Sequence, residues 1–106
     1  MNPTEILLPN GRDWDLVPIA NIQYIEVDRK LCKVVTVARE YSVSSSLQSI
    51  CDTLPEFQFV RIHKSYIVAI KHVKSIGKSE LNIAGRKLPI SRTALPDLYK
   101  RFPRVG

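Results

Sequence analysis

A chain of 106 residues, 44% hydrophobic and 25% charged, has the size and composition of one ordinary globular domain (residues 1–106, core 5–102), able to bury enough surface to fold without disulfide or metal staples. No run approaches the ~20 consecutive apolar residues of a membrane span, and Met1 to Glu5 lacks the basic and apolar parts of a secretory signal, so a cytoplasmic protein with no membrane partner is expected. The net charge of +6 is uneven: residues 1–59 hold five Lys/Arg against eight Asp/Glu, whereas residues 60–106 hold eleven against Glu80 and Asp97, a net of +9. A segment that basic attracts polyanions, of which nucleic acid is the commonest.

In chain order, Ile6 to Leu8 reads as a strand closed by Pro9-Asn10-Gly11, a strong turn signal. Leu16 to Ile19 and Ile22 to Val27 are β-branched, apolar runs separated by Ala20-Asn21. Leu31 to Val37 alternates, with Leu31, Lys33, Val35 and Val37 on one face and Cys32, Val34 and Thr36 on the other. The convincing helix follows. Ser44 to Ser46 offer N-caps, Leu47, Ile50, Cys51 and Leu54 recur at helical spacing as a core stripe, and Pro55 ends it.

Phe59 to Ile62 and Tyr66 to Ile70 are strand-like. Unbroken alternation would place Lys64 on the apolar face, so a bend at 63–65 is expected to lift His63, Lys64 and Ser65 out of the sheet. Val73 to Ile76, Leu81 to Ala84 and Lys87 to Ile90 complete the strands, with turns at Gly77-Lys78-Ser79 and Gly85-Arg86. Thr93 is the expected cap of a short last helix carrying Leu95, Leu98, Tyr99 and Phe102, with Pro96 in its first turn. Many short strands with few helical residues predict an all-β barrel or sandwich.

Gly77-Lys78-Ser79 resembles the tail of a phosphate-binding loop. The position of that motif's first glycine is His72, however, and strand residues follow where a helix is required. No candidate residue shows the sequence context of a nucleophile elbow, a metal-binding helix or a paired-carboxylate site, and no enzyme is expected. Cys32, Cys51, His63 and His72 are too scattered for ligand spacing, and two reduced thiols are expected. No cofactor and no metal is expected.

The informative segment is Phe59 to Ile70, FVRIHKSYIVAI, with LPISR at 88–92. Together they closely resemble the LytTR DNA-binding family, whose signature runs aromatic-x-Arg-x-His-basic/polar-Ser-aromatic-hydrophobic-Val before a hairpin ending near Ser/Val-Arg. Phe59, Arg61, His63, Lys64, Ser65, Tyr66, Ile67 and Val68 match, as do Ser91 and Arg92. Ile22-Gln23-Tyr24-Ile25-Glu26 is similar to the family's I-x-Y-I-E strand, and Leu47 and Leu54-Pro55 to its short helix and following LP. The resemblance covers residues 5 to 102.

What it implies is an elongated, mostly β domain of about ten short strands with one or two short helices, a LytTR-type barrel or sandwich. Such a domain reads successive major grooves of duplex DNA with loop side chains. Three places would then meet DNA: the turn with Arg29, Lys30, Cys32 and Lys33; the His63-Lys64-Ser65 loop; and Ser91 with Arg92. Where the family often has a polar residue this chain has Cys32, so Lys30 and Lys33 are assigned there as phosphate contacts. The planar fork of Arg92 suits guanine O6 and N7 and makes it the first choice for base readout. Arg86 and Lys87 are further phosphate contacts. Arg61 is assigned mainly to organising the fold, His63 equally to fold or DNA, and Trp14 to packing or an interface.

The resemblance further implies two copies on promoter direct repeats, in transcription regulation. Members usually follow a receiver domain phosphorylated by a sensor histidine kinase, or a membrane segment. Neither is recognised here, which leaves an excised output domain or a stand-alone regulator starting at Met1. The other reading open at this stage is a basic β-barrel module that binds RNA, single strands or an acidic protein.

Overall fold

The computed structural model describes residues 3–106, which form ten strands and two α-helices. The strands β3 (Ile22–Asp28), β4 (Leu31–Thr36), β5 (Glu40–Val43), β6 (Phe59–His63) and β7 (Tyr66–Ala69) build an antiparallel sheet in the order β5-β4-β3-β7-β6. One face is covered by the hairpin of β1 (Glu5–Asn10) and β2 (Asp13–Pro18) together with helix α1 (Leu47–Thr53). The other is covered by a three-stranded sheet of β8 (Val73–Ile76), β9 (Glu80–Ile83) and β10 (Arg86–Pro89) together with α2 (Leu95–Lys100). The result is elongated, 49 × 33 × 24 Å.

A sheet covered on both faces needs apolar side chains at successive positions, and the central strands supply them. On β7, Ile67 and Ala69 enter the core beneath the hairpin while Val68, between them, enters the core beneath the three-stranded sheet. On β4, Cys32 and Val34 face the first core and Val35 the second. Ile25, Ile62, Ile67, Val68, Leu81, Ile83, Leu88 and Leu98 have no exposed surface, and each such burial stabilises by about 1.5–3 kcal/mol.

Three local features differ from the expectations. The first turn is Gly11-Arg12 rather than Pro9-Asn10-Gly11: Asn10 pairs with Asp13, and Gly11 takes φ +64. Strand β5 adds Tyr41 to the core; only the Tyr41/Val43 alternation marks it, too short a run to stand out in the sequence. Helix α1 is capped by Ser46, whose Oγ accepts from Ser49 N at 3.0 Å, within the expected serine run. Helix α2, in contrast, is held by Ser91 and not by Thr93. The Ser91 hydroxyl accepts from Ala94 N at 3.2 Å, and its carbonyl accepts from Leu95 N at 3.2 Å.

Candidate nucleic-acid interface

Three chain segments converge at one end of the central sheet. Strand β3 runs into the two-residue turn Arg29-Lys30, flanked by the Asp28–Leu31 pair. Strand β7 is antiparallel to β3, with Glu26 opposite Tyr66, and Val27 N donates to Ser65 O at 3.0 Å. The β6–β7 turn therefore lies beside the β3–β4 turn. Ser91 N donates to Ile62 O at 2.7 Å, which fastens residues 91–92 to the same end of β6. Four cationic residues at this end, Arg29, Lys30, Lys64 and Arg92, are exposed and form no ion pair among the described residues.

The β6–β7 turn is tighter than the sequence suggests. His63 stays in β6, opposite Tyr66, because a bulge between Arg61 and His63 absorbs the conflict in alternation. Ser65 stays bound through its carbonyl to β3, and Lys64 alone of the three is fully out. Arg61 locks the turn from behind. Its guanidinium donates to Lys64 O at 2.8 Å, to His63 O at 3.4 Å and to Gln48 Oε1 on α1 at 2.9 Å. His63 Nδ1 accepts from Ser65 N at 3.1 Å, and its ring rests against Tyr66 at 5.8 Å between centroids. Arg61 and His63 thus shape the turn that presents Lys64. Lys64, His63 and Ser91 line one shallow depression, which Asp97 of α2 also borders.

The β3–β4 turn has a different chemistry. Arg29 takes φ +61, a left-handed conformation uncommon for a side-chain-bearing residue. Cys32 does not reach this surface, contrary to its assignment from the sequence. It is 3% exposed in the core beneath the hairpin, and burial pushes its thiol pKa up; alternation directs it inward while its neighbours face out. Lys33 sits among carboxylates: Asp28 at 3.6 Å, Glu40 at 3.6 Å and Glu26 at 3.9 Å. Glu40, foremost, and then its other acidic neighbours raise its pKa.

Arg86 is also engaged. The turn before it is Ala84-Gly85, with φ +51 and +76, so Arg86 opens β10 instead of closing the loop. Its guanidinium donates to Tyr24 Oη at 2.8 Å and to Glu26 Oε2 at 2.9 Å, and stacks over the Tyr24 ring. Those two hydrogen bonds hold its pKa above the ordinary arginine value. Lys87 lies 4.0 Å from Glu80, an exposed pair of little energetic consequence. Glu26, Tyr24 and Gln48 are organising residues that charge counting passes over. The signal for the first two is their i, i+2 spacing on one face of β3, opposite Lys33 and Val35. His72, remote from this end, donates from Nε2 to Ala20 O at 2.8 Å.

One end of the sheet presents exposed cations from turns, and the two helices are only seven and six residues long. Residues 13–102 match the family model of the LytTr DNA-binding domain, and the chain belongs to that family. It is 30% identical over 102 residues to the sensory transduction protein LytT of Bacillus subtilis, covering 91% of this chain and 42% of that protein. A 70-residue match, 33% identical, joins it to the CO-responsive transcriptional regulator RcoM of Rhodospirillum rubrum, over 66% of this chain and 30% of that protein. A LytTr DNA-binding domain from Bacillus cereus superposes with a TM-score of 0.81 at 25% identity, over 94% of this chain and 97% of that one. The elongated, ten-stranded, mostly β fold agrees with that expected from the sequence. The chain spans less than half the length of these two curated relatives. No helix among the described residues is long and apolar enough to cross a membrane.

Proposed function

We propose that this domain binds duplex DNA sequence-specifically as the output module of a transcription regulator, presenting its sheet end to successive major grooves. The observation that carries this is the convergence of the Arg29-Lys30, Lys64 and Ser91-Arg92 segments at one end of the sheet, all with exposed cations. In this reading Arg92 makes the bidentate base contact, Lys64 contacts a base or a phosphate, and Arg29 and Lys30 make phosphate contacts that set affinity and register. Ser91 and Ser65 act mainly through backbone anchoring of those segments, and His63 by shaping the Lys64 turn. Lys87 is at most a peripheral phosphate contact.

Few base contacts are available to one module of this size, which favours two copies on a direct repeat. The names of the relatives, a sensory transduction protein and a CO-responsive regulator, fit a module driven by a signal-receiving partner such as a receiver domain and its kinase. The single-strand or RNA reading requires aromatic platforms among the cations. Phe59 is instead buried at 4%, and Tyr66 packs against the core beneath the three-stranded sheet.

The test is selection on a random duplex library at moderate salt, with sequencing of retained fragments. A short enriched motif, repeated at a fixed spacing, is the expected result. Salt-sensitive retention without a motif overturns sequence specificity.

A further inference from the structure

Among the described residues, Glu26 is the one acidic residue that engages cations from two directions. Its side chain is 15% exposed; it holds the Arg86 guanidinium at 2.9 Å and stands 3.9 Å from Lys33 Nζ. It lies on β3 opposite Tyr66, one residue short of the Val27 amide bound to Ser65 O, and so immediately behind the two turns that carry Arg29, Lys30 and Lys64. Asp28 and Glu40 complete the ring around Lys33. Three carboxylates facing two cations leave this patch net negative at the edge of an otherwise cationic end.

We infer that Glu26 is a specificity-determining residue, one that withholds Lys33 and Arg86 from phosphate so that generic duplex affinity stays low. The inference rests on the DNA-binding reading above and deepens it. Cations that meet phosphate raise affinity for every sequence alike, whereas base contacts discriminate. A site that must be found among many competing sequences gains from each cation tied up off the DNA. Arg86 is bound through two hydrogen bonds and a ring stack, and Lys33 through three carboxylates. Neither can meet a phosphate without first leaving an anion behind. The ring also penalises misplacement, because a phosphate brought close to Asp28 or Glu40 meets like charge.

The experiment measures binding to a random-sequence duplex and to a selected site across a salt series, for the wild type, Glu26→Gln and the double variant Asp28→Asn/Glu40→Gln. Glu26→Gln releases Arg86 and should steepen the random-duplex salt slope by up to about 0.9, one more phosphate contact, while the preference for the selected site falls severalfold. The double variant changes only exposed carboxylates around Lys33 and should shift the slope in the same direction by less. It decides the matter if Glu26→Gln fails to fold. Wild-type slope and wild-type preference in the folded variants overturn the inference and leave the DNA-binding reading intact. Wild-type protein with no salt-dependent duplex binding removes both.

Discussion

The two turns at the cationic end of the central sheet carry similar numbers of basic residues and handle them in opposite ways. At the β6–β7 turn the supporting contacts are made by Arg61, His63 and backbone carbonyls, so Lys64 at the tip is left without an anionic partner among the described residues, and the nearby Arg92 likewise. At the β3–β4 turn the supporting contacts are ionic: Lys33, and Arg86 from β10, are spent on Glu26, Asp28 and Glu40, and only the tip residues Arg29 and Lys30 remain exposed. A cation on a hydrogen-bonded scaffold is available to a ligand, while a cation that is itself part of the scaffold is not. Net charge counts both kinds alike.

The strongest way to break this comparison is to remove the scaffold of the first turn. Ile62 has no exposed surface, and its carbonyl receives Ser91 N. Ile62→Ala should destabilise the domain by about 2–5 kcal/mol in urea denaturation. DNA affinity measured well below the midpoint should also fall, because both Lys64 and Arg92 hang on that strand end; unchanged stability would mean that β6 does not anchor them. Next in size is Arg92→Ala, with an expected loss of about 1–3 kcal/mol of discrimination at a single base pair. Selection on a random library reads this directly, as one position of the motif becoming degenerate. A uniform loss across all sequences would instead make Arg92 a phosphate contact.

Cys32 sharpens the same comparison from the opposite side. It sits two residues past the tip of the β3–β4 turn but points into the core. Cys32→Ser buries a hydroxyl where a thiol packs and should lower stability by about 1–3 kcal/mol, with the salt slope and sequence preference of the folded fraction unaltered. A change in base preference would return this position to the interface.

Much of this is legible in the sequence alone. Periodicity and turn chemistry place nearly all the strands and both helices, and the FVRIHKSYIVAI segment identifies the turn that presents Lys64. The details that escaped share one physical cause: they depend on partners distant in sequence. Whether Lys33 is solvated or paired is decided by Glu40, across the neighbouring strand, and by Glu26. The availability of Arg86 is decided by Tyr24 and Glu26, some sixty residues upstream. Alternation told which face Cys32 shares with Val34, but not that the hairpin of β1 and β2 covers that face. That Ser91 rather than Thr93 holds the turn leading into α2 follows from the tether to Ile62, which no local pattern encodes.

The smallest expected effect is also the most direct comparison of the two kinds of cation, because Lys30 and Lys33 are three residues apart in one hairpin. Lys30, exposed at the tip, should lower the salt slope on random duplex by about 0.9 when changed to alanine, the signature of one lost phosphate contact. Lys33→Ala should leave that slope within error, since its ammonium is already balanced by carboxylates at 3.6 to 3.9 Å. Charge counting alone predicts equal losses for both substitutions. Equal losses in a salt series would therefore show that the carboxylate ring yields Lys33 to DNA, and that the β3–β4 turn delivers all its cations on contact rather than holding one back.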